Sequence, residues 1–311
     1  RSGYEEYFGP MSGGVDYFTH LSSSGQHDLW VGEEEHHDKG YLTDLLSQRS
    51  VDFVNRMSQG DAPFFLSLHY TAPHWPWETR DDRATAEQLG AGIAHLAGGN
   101  IHQYRRMIHH MDEGIGWIVE ALRANGQLDN TLIVFTSDNG GERFSDNWPL
   151  VGGKMDLTEG GIRVPWIAHW PAVIAAGRTS TQQCMSMDWS ATVLAAAGVA
   201  ADPGHPLDGI SLLPVLQREG AEFARPLYWR MLYRGQRALR DGDWKYLRVD
   251  EHDYLFNIAS DERERANLAP QEPERLQRMR ADWERWNAEM PAIAPDASFS
   301  LVYTARNMPQ R

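Results

Sequence analysis

The sequence predicts an α/β protein in which a mostly parallel mixed sheet is covered by helices on both faces, followed by a small C-terminal antiparallel sheet with one helix. Up to about residue 220, apolar strand-like segments alternate with amphipathic helical segments, which is the order typical of parallel sheets. Beyond that point the segments are short and alternate apolar with polar residues, which favours antiparallel strands. We therefore predict a main domain over residues 1–220 and a subdomain over residues 221–311.

The first hundred residues contain more predicted loop than regular structure. Residues 1–40 are rich in Gly, Ser, His and acidic side chains, which indicates loops. A helix is predicted over residues 41–57, because apolar side chains recur there on one face. Residues 64–70 are apolar enough for a central strand, and residues 71–100 are predicted to be loop again.

The clearest predicted helix covers residues 101–125, where apolar residues follow helical spacing and Gly126 is a natural stop. It leads into a predicted strand at residues 132–137, so that strand, helix and strand form a unit with a right-handed crossover. A strand over residues 164–170 and a helix over residues 188–197 repeat the pattern.

The C-terminal part has the signature of a small antiparallel sheet. Residues 226–231, 236–240 and 244–249 are short alternating segments. The last two are joined through Asp241-Gly242, which is a favoured hairpin turn. An amphipathic helix over residues 273–290 is predicted to cover this sheet.

Composition narrows the function. The formal net charge is −14, and no long Lys/Arg stripe offsets it, which argues against nucleic-acid binding. A few basic groups in a cleft can still attract an anionic substrate. No apolar run approaches the roughly 18 residues that a membrane helix needs. The single cysteine, Cys184, rules out an internal disulfide framework.

The residues after the strand at 132–137 are typical of a metal site. Asp138 and Asn139 follow it directly, and Gly140 and Gly141 come next. Ligands of open α/β sheets generally bind at the carboxyl ends of strands, and Asp and Asn oxygens suit Ca²⁺ or Mg²⁺. The glycines allow a sharp turn and the close approach of another group. The alternative is a strand that ends in a plain Asn-Gly turn.

Two further loops carry groups suited to an anionic substrate. His74 lies in the segment 71–77 with a proline on either side of His74-Trp75, which fixes the backbone and suits a general acid or a donor to an anion. Lys154 follows two glycines, which suits a point charge that binds an oxyanion. The alternatives are a rigid turn with a packed histidine and a solvated surface lysine.

Together the loops resemble the sulfatase family of the alkaline-phosphatase superfamily, which implies an alkaline-phosphatase-like fold. The strings that carry the resemblance are A-P-H-W at 72–75, V-F-T-S-D-N-G-G at 134–141, G-G-K at 152–154 and E-G-G-I-R-V-P at 159–165. The resemblance covers almost the whole chain, including residues 9–18 and the string D-G-D-W-K-Y at 241–246.

The resemblance implies a specific chemistry. Sulfatases hydrolyse sulfate esters with a formylglycine nucleophile and a divalent cation, usually Ca²⁺. By motif match, Asp138 and Asn139 are expected to be metal ligands, Lys154 to bind sulfate, and His74 to contact sulfate or protonate the leaving alcohol. The expected partner is a small-molecule or carbohydrate sulfate ester, although the residues do not identify which one. The residues do not determine the cellular location, although many members of this family are periplasmic or secreted.

The nucleophile motif is where this chain departs from the family. The string C/S-x-P-S/A-R occurs nowhere in residues 1–311, and the surroundings of Cys184 do not match it. The family's paired aspartates in its first strand are also missing. We therefore expect both to lie upstream of Arg1, and we expect residues 1–311 alone to be inactive, to bind Ca²⁺ poorly and to be prone to association.

Two other functions remain open from the sequence. A phosphodiesterase or phosphonate monoester hydrolase of the same superfamily shares the metal strand, although E-G-G-I-R-V-P after G-G-K favours a sulfatase. A non-catalytic sulfatase-like binding protein would explain the missing nucleophile. However, such a protein would have no need to keep His74, Asp138, Asn139 and Lys154 together.

Overall fold

The computed structural model describes residues 3–89, 99–217, 222–294 and 296–297. The described residues fall into two compact units, of which the first runs to Thr131 and the second begins at Leu132. Each unit is described by itself below. The predicted domain boundary near residue 220 stays a prediction.

The first unit combines a small antiparallel sheet with three helices. Its strands are β1 (Phe8–Gly9), β2 (Trp30–Val31) and β3 (Glu34–Glu35), and its helices are α1 (Leu42–Met57), α2 (Arg83–Leu89) and α3 (Ile101–Ala124). The strands pair in the order β1-β2-β3. Helices α1 and α3 confirm the predicted helices, whereas the three strands and α2 fall in stretches predicted as loop.

Helices α1 and α3 form the core of this unit by packing on one another. Helix α3 begins at Asn100, whose side-chain oxygen accepts hydrogen bonds from the backbone N–H groups of the first turn, as a good N-cap does. In the middle of α3, a Cβ at Gly114 would collide with the Ser47 hydroxyl of α1. The glycine therefore lets the two helices come close, at a cost of about 1 kcal/mol in helix propensity.

The predicted strand at residues 64–70 is wrong within the described structure. These residues have no strand assignment, and Phe65 is 48% exposed. A strand exists only where a neighbouring backbone accepts and donates its ladder hydrogen bonds. An apolar run alone does not supply that neighbour, and none of the described segments does so here.

The second unit contains the strand of the predicted metal site. Its elements are β4 (Ile133–Thr136), α4 (Glu159–Ile162), β5 (Trp166–His169), α5 (Ser186–Ala196), α6 (Leu213–Gln217), β6 (Leu227–Arg230), β7 (Arg237–Asp241), β8 (Trp244–Val249), β9 (His252–Asn257) and α7 (Pro273–Glu289). Strands β4 and β5, helix α5, strands β6 to β8 and helix α7 confirm predicted elements. Strand β9 and the short helices α4 and α6 were not predicted.

The prediction of a parallel sheet around β4 differs from the structure. Strand β4 pairs with β5 in antiparallel register, with Ile133 opposite His169 and Thr136 opposite Trp166. The connection between these strands contains only the four-residue α4, so it lacks the long helix that usually makes a parallel crossover. All strand pairs among the described residues are antiparallel.

The C-terminal sheet has the predicted antiparallel architecture, in the order β6-β7-β8-β9. The hairpin between β7 and β8 closes at Asp241-Gly242, with Asp241 opposite Trp244. One face of the sheet packs on Met279 and Trp283 of α7. The other face packs on Leu157, which lies between Lys154 and helix α4. This sheet therefore supports the loop that carries the candidate lysine.

Candidate active site

Strand β4 ends at Thr136, and Asp138 and Asn139 follow it directly after Ser137 at the protein surface. Asp138 is exposed and Asn139 is half-buried. The Asn139 side-chain nitrogen donates to the Gly140 carbonyl at 3.0 Å, so the amide oxygen is the end that suits a cation. Two hard oxygen donors therefore stand side by side at the end of this strand.

The glycine pairs of the three site loops interlock through their backbones. Gly140 N–H donates to the Gly161 carbonyl at 2.9 Å, and Lys154 N–H donates to the Gly141 carbonyl at 3.1 Å. A Cβ at Gly140 would collide with the Gly160 carbonyl. The loop after β4, the loop before Lys154 and helix α4 can approach this closely only because their glycines lack side chains.

Lys154 lies beside an acidic residue that the sequence analysis did not single out. Its Nζ is 3.5 Å from Glu142 Oε2, and the Lys154 side chain is 28% exposed. Asn147 braces the same region, since its side-chain nitrogen donates to the carbonyls of Gly141 at 3.1 Å and Gly152 at 3.0 Å. The lysine charge is thus partly neutralised in a loop with a fixed backbone.

The C-terminal sheet holds the lysine loop by hydrogen bonds from one glutamine. The side-chain oxygen of Gln236 accepts from Leu157 N–H at 2.9 Å, and its nitrogen donates to the Met155 carbonyl at 2.8 Å. Gln236 is 2% exposed, so water competes little for these bonds. Residues far along the chain therefore fix the backbone next to Lys154.

A buried charge cluster anchors helix α4, which begins the E-G-G-I-R-V-P string. Lys245 Nζ lies 2.9 Å from Glu159 Oε1 and 2.8 Å from Glu264 Oε1, and the Lys245 side chain is fully buried. Glu264 also accepts the Glu159 backbone N–H at 2.7 Å, and Arg240 lies 3.3 Å from Glu159. Burial raises the pKa of Glu264, and the adjacent lysine opposes that shift.

His74 belongs to the first unit, and its surroundings there are well defined. Its backbone N–H donates to the Thr71 carbonyl at 2.8 Å, and its carbonyl accepts from the Tyr17 hydroxyl at 2.9 Å. The ring Nδ1 lies 2.8 Å from the Trp75 carbonyl, which only accepts, so Nδ1 carries a proton. Any proton that His74 gives to a substrate therefore leaves from Nε2 of the imidazolium.

A pair of buried carboxyl groups supports the Tyr17 side of this loop. Asp16 is fully buried and Glu78 is 2% exposed, and Glu78 accepts the Tyr17 backbone N–H at 3.3 Å. Burial, with the charge of Asp16 as the next cause, raises the pKa of Glu78 to about 8. Glu78 is thus protonated near neutral pH, because burial disfavours its charged form and the nearby charge of Asp16 adds to this.

Replacing Glu78 by glutamine is expected to remove a pH dependence from the stability of the first unit. The raised pKa makes the Glu78 contribution fully present below about pH 4.5, with loss as pH rises toward 8. Between about pH 5 and about pH 7, this amounts to a loss of roughly 2–3 kcal/mol in the free energy of unfolding. Urea denaturation at about pH 5 and about pH 7 measures this change in the free energy of unfolding. Glu87→Gln, at an exposed glutamate of α2, should retain the parent's pH dependence, and an unchanged slope in Glu78→Gln would contradict the assignment.

The structure brings together part of the predicted site. Within the second unit, the backbones next to Asn139 and Lys154 are joined by hydrogen bonds, and Glu142, Asn147 and Gln236 complete their surroundings. His74 lies in the first unit, in a loop fixed by Tyr17. The motifs contain no signal for Gln236, because it acts across 79 residues of sequence. None of the described helices is long and apolar enough to cross a membrane.

The fold class of this chain follows from its likeness to solved sulfatase structures, which have the alkaline-phosphatase-like fold. One of them, Ps i-CgsB, aligns with a TM-score of 0.79 and 31% sequence identity, over 91% of this chain and 66% of that one. Its complex with k-i-k-neocarrahexaose aligns with a TM-score of 0.78. The chain belongs to the sulfatase family, whose model matches residues 1–199.

Curated relatives agree with this family membership. The uncharacterized sulfatase YdeN of Escherichia coli (strain K12) is 30% identical over 267 residues, which cover 81% of this chain and 46% of the relative. Human N-acetylgalactosamine-6-sulfatase is 34% identical over 200 residues, which cover 62% of this chain and 35% of the enzyme. The chain thus spans less than half the length of these two relatives.

Proposed function

We propose that the full-length protein hydrolyses sulfate esters, of carbohydrates or of aryl alcohols. In this proposal, residues 1–311 supply the groups that hold the sulfate and protonate the leaving alcohol. The observation that carries it is the hydrogen bond from Lys154 N–H to the Gly141 carbonyl. This bond ties the lysine loop to the Asp138-Asn139 strand end, so that a cation site and an ammonium group belong to one rigid framework.

Each basic group has a distinct role in this proposal. The Lys154 ammonium group binds sulfate oxygens and neutralises the charge that develops on the leaving oxygen, as a pre-positioned cation does in a desolvated cleft. Glu142, which pairs with Lys154 in the present structure, is displaced by the sulfate as its partner. His74 donates a proton from Nε2 to the leaving alcohol, because Nδ1 is held by the Trp75 carbonyl.

Asp138 and Asn139 are proposed as ligands of Ca²⁺, or of Mg²⁺ in its place. Their oxygens are the hard donors that both cations prefer. Ca²⁺ takes about six to eight oxygen ligands, and within the described residues no group of three His, Cys, Asp or Glu side chains surrounds one point. The remaining ligands come from sulfate, water and residues outside this chain. When bound, the cation would supply positive charge to the sulfate oxygens.

The nucleophile is proposed to be a formylglycine in a segment outside residues 1–311. The string C/S-x-P-S/A-R is absent from these residues, and Cys184 does not fit it. Burial also raises the pKa of the Cys184 thiol, which makes its reactive thiolate form scarcer. Residues 1–311 by themselves are therefore proposed to be inactive. We extend the proposal to the mostly parallel, helix-covered sheet, as a feature of the full-length protein.

A sulfated carbohydrate is the substrate class that we favour. One relative is an N-acetylgalactosamine-6-sulfatase, and the solved structure at 31% identity was also obtained with a neocarrahexaose. Both names refer to sugars.

The test uses the full-length protein and compares esters that share one leaving group but differ in the reacting centre. Turnover of 4-nitrophenyl sulfate should exceed that of the matching phosphate and phosphonate esters, should fall on chelation and should return with Ca²⁺. Mass spectrometry should detect formylglycine, and residues 1–311 alone should give no turnover. Faster cleavage of the phosphonate would make the protein a phosphonate hydrolase instead, and full-length protein that turns over neither these esters nor a sulfated oligosaccharide would favour a non-catalytic binding role.

A further inference from the structure

An exposed tryptophan lies on the loop between the two halves of the second unit's candidate site. Trp148 is 70% exposed and lies between Asn139 and Lys154 in sequence. Single exposed apolar side chains are common and need no explanation by themselves. Trp148 differs because a cation covers one of its faces, since the Arg263 guanidinium carbon lies 4.2 Å from the ring centroid.

The backbone that carries Trp148 is tied to the site loops through its neighbour Asn147. The Trp148 N–H donates to Asp146 Oδ1 at 3.1 Å. The neighbouring residue, Asn147, hydrogen-bonds to the carbonyls of Gly141 and Gly152. The indole is therefore exposed without being on a loosely held loop, and it moves with the framework that holds Asn139 and Lys154.

Arg263 is equally well anchored, because both of its neighbours contact the site segment. Glu262 lies 3.9 Å from Arg163, and Glu264 belongs to the buried cluster with Lys245. Glu264 also has a φ of +52°, a left-handed conformation that costs energy in a residue other than glycine. The surrounding bonds offset that strain and fix the backbone on the C-terminal side of Arg263.

We propose that Trp148 and Arg263 form a subsite for a second sugar ring of an anionic oligosaccharide, an inference that rests on the proposed sulfatase function. The uncovered indole face is flat and apolar, as the C–H face of a sugar ring requires. A guanidinium has five N–H donors, so Arg263 can stack on the indole and still pair with a sulfate or carboxylate group that extends past the edge of the ring. The occupant is thus a sulfated or uronic acid-containing sugar next to the reacting one.

The test separates long from short substrates in the full-length enzyme. Trp148→Ala and Arg263→Ala are compared with the parent on a carrageenan tetrasaccharide, a chondroitin 6-sulfate tetrasaccharide and 4-nitrophenyl sulfate. For a tetrasaccharide that the parent hydrolyses, KM should rise about tenfold in each variant, as expected for the loss of one stacking or charge contact. For 4-nitrophenyl sulfate, which is too small to reach the subsite, kcat and KM should stay near the parent values.

A matched control is Trp117→Ala. Trp117 of α3 is also exposed, at 41%, and also has an arginine on its ring, with the Arg80 guanidinium 5.6 Å from the centroid. In this variant, kcat and KM should stay near the parent values for the tetrasaccharides and for 4-nitrophenyl sulfate. Equal losses on long and short substrates in the Trp148 variant would overturn the proposal, as would no loss on either or a parent that cleaves only 4-nitrophenyl sulfate. A parent that cleaves no sulfate ester at all would overturn the proposed function itself.

Discussion

Replacing Lys245 by methionine is expected to lower the free energy of unfolding of the second unit by about 3–5 kcal/mol, the usual cost of removing one partner from a buried ion pair. Lys245 is fully buried between Glu159 and Glu264. Methionine fills a similar volume but leaves both carboxylates without their cation, and Arg240 reaches only Glu159. Denaturant unfolding, followed by circular dichroism, measures the loss.

An exposed ion pair between two of the connections of the same sheet provides the control for this prediction. Arg234 and Asp250 pair at 2.7 Å with side chains that are 49% and 48% exposed. Because solvent screens such a pair, Arg234→Met should cost at most about 1 kcal/mol. Adding Glu264→Gln to Lys245→Met should recover part of the loss, since it removes one orphaned charge. Equal effects of Lys245→Met and Arg234→Met would show that the cluster does not anchor helix α4.

The sequence predicts elements well where several local signals agree. For α3, apolar side chains at helical spacing and the stop at Gly126 both indicate the same helix, and the structure has it at Ile101–Ala124. The segment 64–70 has only one signal, its apolar composition. A strand also depends on a partner elsewhere in the chain, so composition alone was not enough.

The same limit applies to the candidate site. The glycines next to Asn139 and Lys154 predict the close approach of some group, and the structure identifies that group as the backbone of the neighbouring loops. By contrast, the contact between Glu159 and Lys245 spans 86 residues. Lysine is among the residues least often fully buried, so a sequence pattern would place Lys245 on the surface of β8.

Lysine is rare in this chain, which sharpens the interpretation of Lys154. Of 29 basic residues, only Lys39, Lys154 and Lys245 are lysines. Arginine therefore supplies nearly all of the positive charges of the chain, yet lysine occurs in the buried cluster and beside the Asp138-Asn139 strand end. A lysine presents a compact charge, whereas arginine presents a planar fork. A tightly packed glycine loop leaves room for the compact group, which suits a site for a tetrahedral anion.

Replacing Lys154 by alanine is expected to lower kcat/KM for 4-nitrophenyl sulfate in the full-length enzyme by about 100-fold to 1,000-fold, the usual effect of removing one pre-positioned oxyanion-binding group. The loop should keep its shape, because its contacts to Gly141 are made by the Lys154 backbone. The melting temperature should therefore stay near that of the parent. Lys154→Arg should recover activity only in part, because the longer planar group does not fit the same geometry.

Chemical labelling provides a second readout for Lys154 that does not depend on turnover. Lys39 is exposed and Lys154 is partly exposed, so acetic anhydride should label both, whereas buried Lys245 should react only on unfolding. Inorganic sulfate should protect Lys154 from labelling and leave Lys39 unaffected, because only Lys154 lies in the proposed sulfate site. Lys39→Ala provides the kinetic control and should retain parental activity. Full activity in Lys154→Ala, combined with labelling of Lys154 that sulfate does not change, would exclude this lysine from substrate binding and leave it a structural role, such as its pairing with Glu142.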